Sequence, residues 1–340
     1  MIPLRVDTVS GYLCRFAGRC VASMLVVTFC SAAVFAAAPP ERIKVTATIF
    51  PLADIVRQVG GTRVHVVTLL PPGVRPFSYQ PTLIQIRQTV GTSLYVRVGS
   101  DFDAWGDNLF SNAAEKPQTL TVTDFVDLLP PDRPSVLLDK GIPPGQVGKG
   151  NPWVWLDPVL VRDRILPAVT AALTRLRPGD ARYFKVNERK YFEELTKLDE
   201  GMWTVLMRLP GKGFVSTHPL WGYLAKRYGL RQAAVIEPSA SGAPVQRNQD
   251  TLVETARKLG IVAVFGDPWS TVSAAREFAN RIHGRFVMLD PLGGAQLPGR
   301  YSYSALMKYN LALIRTVAEV DVHTHSPESR HGGGKAGNND

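Results

Sequence analysis

The sequence predicts an α/β fold of two lobes, each a mainly parallel sheet flanked by helices, joined by one long rigid helix. Three observations lead there. From Ile43 onward, short β-branched runs alternate with helix-like segments of about ten residues, the pattern of a parallel sheet covered on its faces. The alternation stops at residue 179 and resumes after residue 209. Between those points lies the longest uninterrupted helical pattern in the chain.

The first lobe, residues 41–178, reads as strands at Ile43–Ile49, Val64–Leu70, Ser93–Val98 and Thr119–Thr123. Helices are expected at Leu52–Val59, Leu83–Thr89 and Asp103–Asn112. Residues 129–152 hold six prolines and four glycines with little apolar periodicity, and read as a surface excursion. Residues 158–178 receive no element. In the connecting helix, Phe184, Tyr191, Leu195, Leu198, Met202 and Val205 recur at steps of three, four and seven, which places them on one stripe. Asp180 is the expected N-cap, and Pro210-Gly211 ends the helix. At about 1.5 Å per residue such a helix spans roughly 40 Å, enough to reach from lobe to lobe. The second lobe, residues 210–322, reads as strands at Phe214–Thr217, Ala233–Ile236, Val262–Phe265 and Phe286–Leu289. Its helices are expected at Leu220–Tyr228, Asp250–Leu259, Ala274–His283 and Tyr303–Val320. The tail 323–340 is Gly/Ser/Asn-rich and is expected to be disordered.

The N-terminus reads as a signal peptide, residues 1–36. A basic segment through Arg19 precedes an apolar run, Val21–Phe35, too short for a comfortable span, and small residues follow. This implies export to the periplasm or the outer side of the inner membrane. All three cysteines, Cys14, Cys20 and Cys30, fall inside the signal, so thiolate ligands and disulfides are not expected in the folded part. The net charge of +10 is scattered, with no basic stripe carrying interleaved aromatics, so nucleic acid is not an expected partner. No phosphate-binding Gly-rich loop, nucleophile elbow or HExxH helix occurs, and no enzyme is expected.

In open parallel sheets, ligands bind beyond the carboxyl ends of the strands. The polar residues there are Arg75, Ser78 and Tyr79 in the first lobe, and Thr217, His218, Asp267 and Asp290 in the second. Of these, His218 and Asp290 are best suited to coordinate a metal ion.

Several stretches resemble the zinc- and manganese-binding solute receptors of ABC importers, over nearly all of residues 43–318. They are Thr48-Ile49-Phe50-Pro51-Leu52-Ala53-Asp54-Ile55-Val56; Leu70 to Pro81; Asn151-Pro152-Trp153-Val154-Trp155-Leu156-Asp157-Pro158; Ser216-Thr217-His218-Pro219-Leu220-Trp221-Gly222-Tyr223; Val287 to Gly293; and Met307 to Leu311. The resemblance implies two α/β lobes on a rigid helix that open only slightly. It also implies a transported divalent ion, zinc or manganese, and ABC permease subunits as membrane partners of a monomeric receptor. Relatives usually place a histidine in the first ligand loop and another in the second, where this chain has Phe77 and Trp153. The third and fourth positions keep His218 and Asp290, with Asp267, Tyr79 and Ser78 as expected substitute ligands. The excursion at 129–152 contains no histidine, while His323, His325 and His331 lie in the tail. Tight zinc sites use three or four protein ligands, which two surviving ones do not supply. Two alternatives follow: a receptor of the same fold for a metal chelate or organic cation, and a non-transport surface-attachment protein.

Overall fold

The computed structural model describes residues 41–130, 150–236 and 249–319. The expected signal peptide, its three cysteines, the tail histidines and most of the 129–152 excursion lie outside them. In the first lobe the elements are β1 (Ile43–Ala47), α1 (Phe50–Gly60), β2 (Val64–Thr68), α2 (Leu83–Gln88), β3 (Leu94–Arg97) and β4 (Gln118–Thr121). The strands are all parallel, in the order β2-β1-β3-β4. In the second lobe they are β5 (Gly213–Ser216), α5 (Gly222–Arg227), β6 (Arg231–Val235), α6 (Gln249–Lys258), β7 (Ala263–Gly266), α7 (Val272–Arg281), β8 (Arg285–Met288) and α8 (Tyr303–Ala318). The second sheet repeats the first, parallel and ordered β6-β5-β7-β8. In each sheet the strand order reverses once, between β1 and β3 and between β5 and β7. Those two reversal points are where such sheets open a crevice at their carboxyl ends.

Between the lobes run α3 (Leu166–Leu176) and α4 (Ala181–Leu206). All six stripe residues of α4 are buried, each contributing about 1.5–3 kcal/mol by leaving water. The helix packs on α1 of the first lobe and on α8 of the second. Asn187 Nδ2 donates to Val59 O at 2.9 Å, and Asp199 Oδ1 accepts from Tyr228 Oη at 2.9 Å, so polar contacts tie it to both sides. Asp180 does precede the helix but makes no side-chain cap. Its carboxylate lies 3.6 Å from Arg63 and from Arg177. Asp180 closes a 3-10 turn, Pro178–Asp180, with φ −96° and ψ 6°, not the extended backbone of a capping residue.

Two expectations need correction. The helix expected at Asp103–Asn112 is a single 3-10 turn, Ala104–Gly106, followed by further turns. Asp103 is the reason: its buried carboxylate accepts from Val98 N at 2.7 Å and Gly99 N at 3.0 Å, tying the segment back to the end of β3. The connection from β3 turns sharply just before it, with Ser100 and Asp101 in left-handed backbone, φ 48° and 62°. Conversely, the unassigned stretch after residue 157 is helical. Asp157 caps it, accepting from Val159 N at 2.8 Å, and Pro158 opens it. Pro167 has no N–H for the helical ladder, and a wider π-helical turn at Val161–Ile165 takes up the interruption before α3.

One continuous apolar core runs through both lobes, from Val45 and Leu94 in the first to Phe214, Phe265 and Leu289 in the second. A smaller cluster, including Val215, Ile236 and Phe278, packs the other face of the second sheet. Polar ties cross the junction. Trp155 Nε1 donates to Pro291 O at 2.8 Å, and Tyr303 Oη donates to Trp155 O at 2.6 Å. Arg227 Nε pairs with Asp157 at 3.0 Å.

Asp54, at 5% exposure, accepts from Tyr303 N at 2.8 Å. Burial pushes its carboxyl above the usual 3.8, a shift only partly offset by Tyr303 N–H, Gln58 and Arg57. A raised acid pKa means the unfolded chain ionises first as pH rises, so stability is lost as pH climbs from about 3.8 through the folded value. Asp54→Asn retains an acceptor for Tyr303 and removes the buried charge. It is expected to unfold at the same denaturant concentration as wild type at pH 7, or at a higher one. The gap should narrow on acidification, and a lower midpoint at pH 7 would contradict this.

Candidate functional site

After β2, the chain forms a tight turn at Pro76–Ser78. Phe77 is half exposed at 50%, with its ring edge-on to Phe102 at 5.2 Å and to Trp153 at 6.1 Å. Ser78 is exposed. Tyr79 is buried, and its hydroxyl is committed to Leu69 O at 3.0 Å and to Gln85. Gln85 also closes the capping box of α2 with Thr82.

The second loop is set by Asn151, whose side-chain oxygen accepts from Trp153 N at 2.9 Å and whose backbone oxygen accepts from Tyr223 Oη at 3.0 Å. Trp153 is only 2% exposed. Phe102, Trp155 and Trp269 surround it, at ring separations of 5.1, 5.0 and 6.3 Å. It is thus part of the core rather than an open wall.

His218 and Asp267 follow β5 and β7, the two strands that flank the reversal point of the second sheet. His218 Nδ1 lies 2.7 Å from Asp267 Oδ2. Thr217 Oγ1 donates to the same oxygen at 2.9 Å, and Trp269 N donates to Oδ1 at 3.0 Å. Asp267 is fully buried. A carboxylate on one ring nitrogen is the arrangement that orients a metal-binding imidazole and raises its basicity. Both Asp267 oxygens are thus engaged, Oδ2 by His218 and Thr217 and Oδ1 by Trp269 N.

Asp290 follows β8 and is almost fully buried. Its Oδ1 accepts from Leu292 N and Gly293 N, both at 2.9 Å. Its Oδ2 pairs with Arg300 Nη1 at 2.9 Å. Asn310, from α8, brackets the backbone: its oxygen accepts from Asp290 N at 2.9 Å and its amide donates to Asp290 O at 2.7 Å. The Arg300 guanidinium also lies over the Tyr309 ring, 4.9 Å from its centre.

The four loops are linked by direct contacts. Phe77 touches Trp153, Trp153 packs on Trp155, and Trp155 bonds the residue after Asp290. Trp269, next to the His218–Asp267 pair, contacts Trp153 and donates from Nε1 to Gly73 O at 3.1 Å. Sequence reasoning did not single out Phe102, Trp269 or Arg300. Arg300 reaches Asp290 because the intervening loop folds back, Gly294 N donating to Arg300 O at 3.2 Å, and no spacing signals that closure. Among the described residues, no group of three or more His, Cys, Asp or Glu side chains is arranged to hold a metal ion.

Two parallel α/β lobes with linked carboxyl-end loops, on one long helix, define the fold of a two-lobed binding protein. The chain belongs to the family described as zinc-uptake complex component A, periplasmic (ZnuA), whose model matches residues 45–317. It is 23% identical over 288 residues to the high-affinity zinc uptake system protein ZnuA of Bacillus subtilis, covering 81% of this chain and 87% of that one. It is also 23% identical over 292 residues to the zinc-binding protein AdcA of Streptococcus pyogenes serotype M1, covering 82% of this chain. This chain spans little more than half, 56%, of AdcA. Among solved structures, a ZnuA crystal structure superposes with TM-score 0.68 at 23% identity, covering 82% of this chain and 98% of that one. A Mn-bound periplasmic metal-binding protein from Candidatus Liberibacter asiaticus gives TM-score 0.68 at 20% identity, covering 82% and 100%. Both likenesses confirm the fold.

Proposed function

We propose that this chain is the extracytoplasmic solute-binding component of a metal-type ABC importer, a receptor without catalytic activity that hands its cargo to permease subunits in the membrane. The cargo is a divalent metal, zinc or manganese, and the protein ligands are His218 and Asp290. The observation that carries this reading is His218 held by Asp267 at the reversal point of the second sheet, 2.7 Å apart, in the posture of a metal-binding imidazole. Export agrees with the basic and apolar N-terminal segment. Among the described residues no helix is long and apolar enough to cross a membrane. Deleting the gene should lower zinc or manganese accumulation in chelator-limited medium, and complementation with wild type but not His218→Ala should restore it. Unchanged accumulation of both metals would contradict the reading.

Capture on this scaffold involves little closure, because α4 packs along both lobes and the core is continuous between them. Small-angle scattering curves with and without bound cargo should nearly superimpose. A marked compaction would show that α4 bends or the lobes part.

A further inference from the structure

We infer that the site receives its metal already complexed by a small carboxylate-bearing chelator, not as a bare dication. This rests on the metal-receptor reading and names the form of its cargo. Three features of the site point the same way.

The first is the state of Asp290. One carboxylate oxygen accepts two backbone N–H groups, and the other faces Arg300 Nη1 at 2.9 Å. A bare dication taking that oxygen either displaces the guanidinium or sits directly beside it. Arg300 is held over Tyr309 with its side chain only 26% exposed, so it would be left as a like charge beside the incoming ion. A chelate brings an anionic group of its own. As the metal meets Asp290, a chelator carboxylate accepts the guanidinium, and each charge keeps a partner.

The second is the count of donor atoms. Four-coordinate zinc needs four, and among the described residues His218 and Asp290 provide two. The ring carbons of Phe77 and Trp153 offer none. Asp267 is spent on His218, Thr217 and Trp269 N, and the Tyr79 hydroxyl on Leu69 O and Gln85. A bidentate chelator supplies the remaining two. The third is surface. Half-exposed Phe77 and partly buried Trp269 are apolar rings on the linked loops, with nothing to offer a hydrated ion but with surface to pack against the carbon frame of a chelator.

Calorimetry on the full chain in a non-coordinating buffer tests this, with zinc alone, citrate alone, zinc citrate and zinc bis-histidine as titrants. At least one of the two complexes should bind at least tenfold more tightly than zinc alone. Arg300→Gln should weaken binding of that complex at least tenfold while strengthening binding of zinc alone. Arg300→Lys, which keeps the charge and loses the fork, should fall between, and the melting temperature of each variant shows whether it is folded. Zinc alone binding as tightly as either complex, with affinity indifferent to Arg300→Gln but lost on His218→Ala, would overturn the chelate inference and leave the metal receptor standing. Binding of neither zinc nor its complexes, with manganese and manganese citrate equally inert, would overturn both.

Discussion

Replacing Trp153 by alanine should cost about 3–5 kcal/mol of stability, the range for removing a large buried aromatic side chain. The indole is 2% exposed and packs against Phe77, Phe102, Trp155 and Trp269, which come from both lobes. Its removal opens a hole where the neighbours are themselves fixed. Trp155 is held by Pro291 O and Trp269 by Gly73 O, so collapse into the space is limited. Trp153→His should lose much of the same energy, because an imidazole fills far less volume and brings a polar ring into an apolar cluster. Denaturant unfolding checks both variants. A loss below about 1 kcal/mol for the alanine variant would mean that the cluster adjusts freely and that Trp153 is not part of a packed core.

Phe77→His should behave in the opposite way. Phe77 is half exposed, so its replacement leaves no large buried cavity and the fold should tolerate it. Its loop meets Trp153, which contacts the Trp269 beside His218. With His218 and Asp290 as the proposed ligands, an imidazole there would add a third, the number that open zinc sites use. Zinc affinity should rise by at least about tenfold, comparable with the lower end of what supporting contacts contribute to metal sites. His218→Ala added to this variant should remove the gain. An unchanged zinc affinity in Phe77→His would mean that the first loop does not approach His218 closely enough to share an ion.

Much of this architecture was legible because burial imposes a period. The α4 stripe from Phe184 to Val205 names the buried face of the long helix, and the short β-branched runs name all eight described strands to within a few residues. Where local chemistry overrides the period, reading failed. Phe102, Trp105, Leu109 and Phe110 have helix-like spacing, yet Asp103 binds the end of β3 and holds the segment in turns. Pro158 and Pro167 mark the segment 158–176 as broken, yet an Asp cap and a π-helical turn accommodate them. The site divides along the same line. The positions of His218 after β5 and Asp290 after β8 were legible because each strand stops where its apolar run stops. The division of labour between His218 and Asp267 depends on two strands meeting side by side. The pairing of Asp290 with Arg300 depends on a loop folding back on itself. Neither leaves a mark in spacing.

This member of a zinc-uptake family should not hold a bare zinc ion tightly. Titration calorimetry of zinc into the unmodified chain, in a buffer free of chelators, tests it most directly. The expected dissociation constant is in the micromolar range or weaker, about three orders of magnitude short of a nanomolar site, which corresponds to roughly 4 kcal/mol. That weak binding should be reduced further by His218→Ala. Nanomolar binding by the unmodified protein, abolished by His218→Ala, would contradict it.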